Sequence, residues 1–122
     1  MALFLITQDF SVKILLADDH GLFRDSMAIW LKQYDDTIDI EFAADWSSLA
    51  VNIKQPFDLV LLDLCMPGMS SGAASIIELK QLQPKSHILV VSANEDIQTI
   101  TACLECGASG YIAKSSSGDE IL

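Results

Sequence analysis

The sequence predicts a doubly wound α/β fold, a parallel sheet with helices on both faces. Three observations predict it. Short apolar runs alternate with segments of helical period. The runs are apolar throughout, as strands buried on both faces are, rather than alternately apolar and polar. Pro, Gly and Asp punctuate the junctions between them. With 122 residues, 51% hydrophobic and 20% charged, the chain suits one globular domain.

The elements follow in order. Val12–Ala17 (VKILLA) reads as a buried strand before a polar turn. Leu22, Met27, Ile29, Trp30 and Leu31 mark a helix over about 21–34. Ile38–Phe42 is a short strand. Asp45 is placed to cap a helix carrying Trp46, Leu49, Val51 and Ile53, which Pro56 ends. Asp58–Leu62 is the third strand, and Met66-Pro67-Gly68-Met69 a loop. Ala73–Leu82 is helical, with Ile76, Ile77, Leu79 and Leu82 expected to face inward and Pro84 to close it. His87–Val91 is the fourth strand. Asp96–Cys106 is a helix stopped by Gly107. Gly110–Ala113 is the fifth strand, and Ser117–Leu122 resembles the first turn of another helix.

Charge narrows the function. Seven basic residues stand against 17 acidic ones, a formal net charge of −10. Such a field repels phosphate backbones, so no direct nucleic-acid contact is expected, whereas a cation site is well served. Runs such as Leu59–Leu62 and Ile88–Val91 fall far short of the roughly 20 residues that cross a bilayer. Met1–Ile6 is apolar, but no positive charge precedes it and it is too short for a signal peptide. A cytoplasmic location without membrane association is expected. Cys65, Cys103 and Cys106 form no paired framework and are expected to be reduced thiols.

In doubly wound sheets, ligands bind outside the carboxyl ends of the strands. The first strand ends in Asp18-Asp19, the third in Asp63 and the fourth in Ser92, while the fifth runs into Lys114. Three carboxylates brought together repel one another. A hard divalent cation relieves this, and Mg²⁺ suits a site of a few carboxylates and waters. A carboxylate beside such a cation and a lysine is equipped to attack a phosphoryl group. Ser92 is placed to donate a hydrogen bond to it. The plainer readings are a turn with a helix cap for Asp18-Asp19 and ordinary strand ends for the others. Their joint occurrence in this order outweighs those readings.

The ordered set Asp18-Asp19, Asp63, Ser92-Ala93 and Lys114, with MPGM after the aspartate and GASGYIAK near the end, resembles the receiver domains of two-component response regulators. LLADDHGLFRDSM and CGASGYIAKSSS are most similar to the NarL/LuxR class. The resemblance runs from Val12 to the last residue. It implies the flavodoxin-like receiver fold, with five parallel strands in the order 2-1-3-4-5. It implies Asp63 as phosphoacceptor, charged by a histidine kinase or a small phosphodonor. It implies that Mg²⁺ is bound directly by Asp19, through water by Asp18, and also by Asp63 and the backbone carbonyl of Cys65. Lys114 would pair with phosphoryl oxygens. Ser92 and Tyr111 would be the switch residues. A receiver homodimer is a further implication, and turnover is limited to slow self-phosphorylation and self-dephosphorylation.

Two departures stand out. Ser70-Ser71 occupy a place where the family usually has one residue before Gly72. Ser115 follows the lysine where a cis-proline is frequent, and a cis bond before serine costs about 2.5–4 kcal/mol more than trans. The domain reading is an N-terminal extension over residues 1–11 and a receiver over 12–122. The receiver is expected to be cut within its final helix, with a helix-turn-helix output domain following in the full-length protein.

Other features carry less. His20 is set aside as a ligand because Mg²⁺ prefers oxygen. His87 is read as a surface residue. Cys103-Leu104-Glu105-Cys106 has redox spacing but lies at a helix C-terminus, where the dipole disfavours a thiolate. An aspartate-nucleophile phosphohydrolase would commonly place a second aspartate where Cys65 stands. A flavin carrier would need a phosphate-binding loop where Asp18-Asp19-His20 stand. A pseudo-receiver that only binds a partner would not need the intact acidic set.

Overall fold

The structure, a computed structural model, describes residues 12–64, 66–69, 72–93 and 95–114. Five strands and four helices alternate among them: β1 Lys13–Ala17, α1 Gly21–Tyr34, β2 Asp39–Ala43, α2 Trp46–Asn52, β3 Leu59–Leu62, α3 Ala74–Leu82, β4 His87–Ser92, α4 Ile97–Glu105 and β5 Gly110–Ala113. The strands form one parallel sheet in the order β2-β1-β3-β4-β5. This is the flavodoxin-like order that the resemblance implied.

Side chains alternate across the sheet, and each face has its own core. Leu15, Ala17, Val60, Leu62, Ile88 and Val90 pack with Leu49 of α2, Ile76 and Leu79 of α3, and Cys103 of α4. Ile14, Leu16, Leu61 and Val91 point the other way, against Met27 and Leu31 of α1. Leu59, Leu89 and Ile112 border that second cluster and are half-buried. The final helix expected over Ser117–Leu122 and the extension over residues 1–11 lie outside the described residues.

Several local expectations need correction. Ile77 and Leu82 are not inward: they are 47% and 51% exposed. The buried side of α3 is Ser75, Ile76 and Leu79, and Gln83, four residues after Leu79, turns in where Leu82 was expected. α2 ends at Asn52, before Pro56 is reached. The Asn52 side chain donates to Ser48 O and Phe42 O at the end of that helix. Leu22 and Ile29 marked the first helix in the sequence, yet both are solvent-facing.

The capping signals were read correctly. Asp45 accepts a hydrogen bond from Ser48 N at 2.7 Å. Gly107 follows α4 with φ +117°, a conformation that L side chains rarely adopt.

Candidate functional site

Three backbone hydrogen bonds fix the carboxyl edge of the sheet. Asp18 N donates to Ala43 O, Asp63 N to Ala17 O, and Lys114 N to Ser92 O, at 2.8–2.9 Å. The ladder therefore delivers the acid that follows β1, the acid that follows β3 and the lysine that follows β5 to one rim. Apolar runs enclose them, and Asp18 and Asp63 are only 4% and 3% exposed.

The side chains converge. Lys114 Nζ lies 2.9 Å from Asp18 Oδ2 and 3.8 Å from Asp63 Oδ2. It also sits 5.0 Å from the centre of the Phe23 ring, a cation–π distance. Asp19 is more open, with its side chain 33% exposed. Ser92 is buried at the end of β4. Tyr111 pairs in register with Val90 on the neighbouring strand and packs, half-buried, against the core on the α2–α4 face. By strand alternation Ser92 and Tyr111 share that face. Cys65, Ser70, Ser71 and Ser115 lie outside the described residues, so the carbonyl ligand, the longer loop and the bond after Lys114 do as well.

Sequence reasoning undervalued the first turn of α1. The N-cap position is His20, and no side chain caps the helix. The plain cap reading of the acid pair is thus not what is seen. Asp18 Oδ1 instead accepts from His20 N at 2.8 Å. The His20 ring turns back over the acids, with Nδ1 2.9 Å from Asp18 Oδ1, 3.3 Å from Asp19 Oδ1 and 3.0 Å from Lys114 Nζ. Arg24 donates to the Asp18 carbonyl. The one available signal was position: His20 directly follows the acids, and Phe23 and Arg24 lie within one helical turn of it.

The donors fit a divalent cation. One ligand atom each from Asp18, Asp19, His20 and Asp63 lies within 4.8 Å of the others. Two of the carboxylates are buried, so their mutual repulsion is poorly screened by water and a cation offsets it.

A family model for the response regulator receiver domain matches residues 14–122. The chain belongs to that family. Among curated relatives, the receiver is 38% identical over 106 residues to a glycerol metabolism activator of Pseudomonas putida, covering 85% of this chain and 48% of that protein. It is 29% identical over 112 residues to the oxygen regulatory protein NreC of Staphylococcus epidermidis, covering 91% of this chain and 51% of NreC. The chain thus spans about half the length of these relatives. Among solved structures, one is a response regulator of Burkholderia pseudomallei with a phosphorylated aspartic acid, a calcium ion and citrate. It superposes with a TM-score of 0.80 at 26% identity, covering 91% of this chain and 64% of the other. The receiver domain of the response regulator NarL from Mycobacterium tuberculosis superposes with a TM-score of 0.74 at 26% identity, covering 91% and 90%.

The receiver's remaining candidates fall away from this edge. Burial, and then the neighbouring Cys106, push the Cys103 thiol above its usual range, which disfavours a reactive thiolate. His87 is exposed and meets Ser109. No helix among the described residues is long and apolar enough to cross a membrane.

Proposed function

We propose that this receiver is a phosphorylation switch that accepts a phosphoryl group on Asp63. One observation carries the reading: two buried carboxylates from different strands, Asp18 and Asp63, meet one ammonium, that of Lys114. In the reaction, a carboxylate oxygen of Asp63 forms a bond to phosphorus. The bond from phosphorus to a kinase histidine nitrogen, or to the leaving oxygen of a small phosphodonor, breaks, and the leaving group keeps the electron pair. Lys114 neutralises charge on the phosphoryl oxygens. Asp18, Asp19, Asp63 and the carbonyl of Cys65 would hold Mg²⁺, which supplies further charge neutralisation when bound.

The product is a modified side chain, so the domain acts as a phosphoacceptor and at most slowly hydrolyses its own phosphate. Ser92 then hydrogen-bonds the phosphoryl group, and Tyr111, on the same face one strand away, turns inward as Ser92 moves. A local hydrogen bond of this kind biases a two-state element, here α4 and β5. The partners are a histidine kinase and a second copy of the receiver. The output is transcriptional, through a DNA-binding domain in the full-length protein, and the site of action is the cytoplasm.

Beryllofluoride with Mg²⁺, a phosphoryl mimic, tests the switch. Amide resonances of the strand ends and of residues 96–112 should shift in the wild type and stay in place in Asp63→Asn. Shifts confined to the neighbours of Asp63 would mean that this receiver does not switch.

A further inference from the structure

The amino end of the sheet holds a cavity that the switch does not use. It encloses about 300 Å³ between the α2–β3 and α3–β4 connections. Phe57 lines it, and the chain from Phe57 to Asp63 runs along β3 for about 20 Å at strand rise. The cavity is therefore remote from the phosphoacceptor.

Its wall is largely apolar. Ile53 and Phe57, both buried, line it together with Pro56, Leu82 and Pro84, all exposed. Leu82, the residue found on the outside of α3, thus has a place at this cavity. Gln83 lines it too, but its side chain is engaged. Nε2 donates to Ile53 O and Gln55 O, and Oε1 accepts from Phe57 N. These backbone groups are satisfied internally, so the wall offers mainly apolar surface.

The charge at this cavity is opposite to that of the whole chain, whose net is −10. Lys54 and Lys85 line it, and both are exposed. Among the described residues neither side chain forms an ion pair or a hydrogen bond. Lys80 Nζ donates to Pro84 O and Ser86 O and meets no carboxylate among the described residues. Two acids of this end are engaged by Lys13 instead. Asp58 Oδ2 accepts from Lys13 N at 2.8 Å, and Asp39 Oδ2 lies 3.9 Å from Lys13 Nζ.

We propose that this cavity binds a compact amphipathic anion, an organic acid whose carboxylate meets Lys54 and Lys85 and whose aryl or short alkyl body covers Ile53, Phe57 and Leu82. Ligand pockets run from about 300 to 1,000 Å³, and a cavity at the small end of that range suits a small molecule. An inorganic anion would leave the apolar wall wet, and a neutral ligand would leave the ammoniums without a partner. A second copy is a poor occupant, because two chains of this net charge repel each other. The site goes beyond the phosphoacceptor reading and does not rest on it.

Amide spectra of the chain titrated with 4-phenylbutyrate, an acid of this class, test the proposal. Saturable shifts are expected in the two connections, over residues 53–57 and 82–86, and equally in Asp63→Asn. The double variant Lys54→Gln, Lys85→Gln changes only exposed side chains and should bind the acid about threefold or more weakly, two exposed ion pairs being lost. The uncharged 4-phenylbutyramide should bind the wild type about as weakly. Acetate, the same carboxylate without the body, should not saturate these amides at the concentrations where 4-phenylbutyrate does. Absence of saturable shifts, shifts centred elsewhere, equal affinity in the double variant, or equal binding of the amide would each overturn the proposal. Shifts of the same amides on simple dilution of the protein would assign the cavity to a second copy and overturn it as well. Absence of phosphoryl uptake in the wild type would overturn the phosphoacceptor reading and leave this site standing.

Discussion

The two ends of the sheet bury polar groups in opposite ways. At the amino end, Gln83 and Ser86 are 6% and 2% exposed, and both are neutral. Gln83 Nε2 donates to Ile53 O and Gln55 O, while its Oε1 accepts from Phe57 N and Ser86 Oγ. Ser86 Oγ also lies within hydrogen-bonding distance of Phe57 O. This end ties the α2–β3 connection to the α3–β4 connection through neutral groups. At the carboxyl end, beside the neutral Ser92, two buried carboxylates crowd together, with Asp18 and Asp63 sharing Lys114. A saturated neutral network costs little to bury and holds the fold. Two buried like charges leaning on one lysine destabilise a fold unless they are compensated. Burial of polar groups alone therefore does not mark a site; buried charge of one sign does.

Substitutions can break this contrast. The largest effect is expected at Lys114. Lys114→Ala should slow phosphoryl uptake from a small phosphodonor by about 10²–10³-fold, because a preorganised positive charge at the transferring group is lost. The measurement is the rate of phosphoprotein formation by mass spectrometry. A rate near that of the wild type would remove Lys114 from the chemistry.

Gln83→Leu should do the reverse. It leaves Phe57 N, Ile53 O, Gln55 O and Ser86 Oγ without the partners that Gln83 supplies, and should destabilise the fold by about 2–4 kcal/mol in urea denaturation. Phosphoryl uptake by the folded protein should be unchanged. A slowed reaction at full folding would show that the two ends are coupled.

Mg²⁺ should sharpen the contrast further. A ligand that binds only the folded state at a hundred times its Kd stabilises by about 2.7 kcal/mol. Thermal melts should show that gain in the wild type and in Gln83→Leu, and a reduced one in Asp19→Asn. An equal gain in Asp19→Asn would place the metal elsewhere.

The smallest effect lies outside both ends. The backbone N–H of Ser48, and then its hydroxyl, hold the Asp45 carboxyl below its usual range. A depressed value means that the charged cap stabilises above the ordinary carboxylate value of 3.8 and that this is lost as pH falls through the lower folded value. The stability difference between wild type and Asp45→Asn, from denaturation midpoints, should be constant at neutral pH and shrink only below about pH 3.8. A difference that persists in strong acid would assign it to shape rather than charge.

Most of the fold was legible because strands buried on both faces write themselves as apolar runs, and because Asp45, Gly107 and Pro84 mark element ends. The inward sides of helices were less legible. In α3, apolar Leu82 is outside and polar Gln83 inside, and only the long-range bonds to Ile53, Gln55 and Phe57 explain the exchange. At the site, the acids and the lysine were legible as the residues that directly follow strands. The placement of His20 was not, because it depends on a ring turning back over its own preceding residues and on a lysine 94 positions away in the chain.

The most direct measurement is peptide mapping by mass spectrometry after exposure to acetyl phosphate and Mg²⁺, on wild type, Asp63→Asn and Gln83→Leu. Wild type and folded Gln83→Leu should gain one phosphoryl group, carried on the peptide that contains Asp63, and Asp63→Asn should gain none. Equal labelling of Asp63→Asn, or a phosphoryl group mapped to a different residue in the wild type, would contradict the assignment of Asp63.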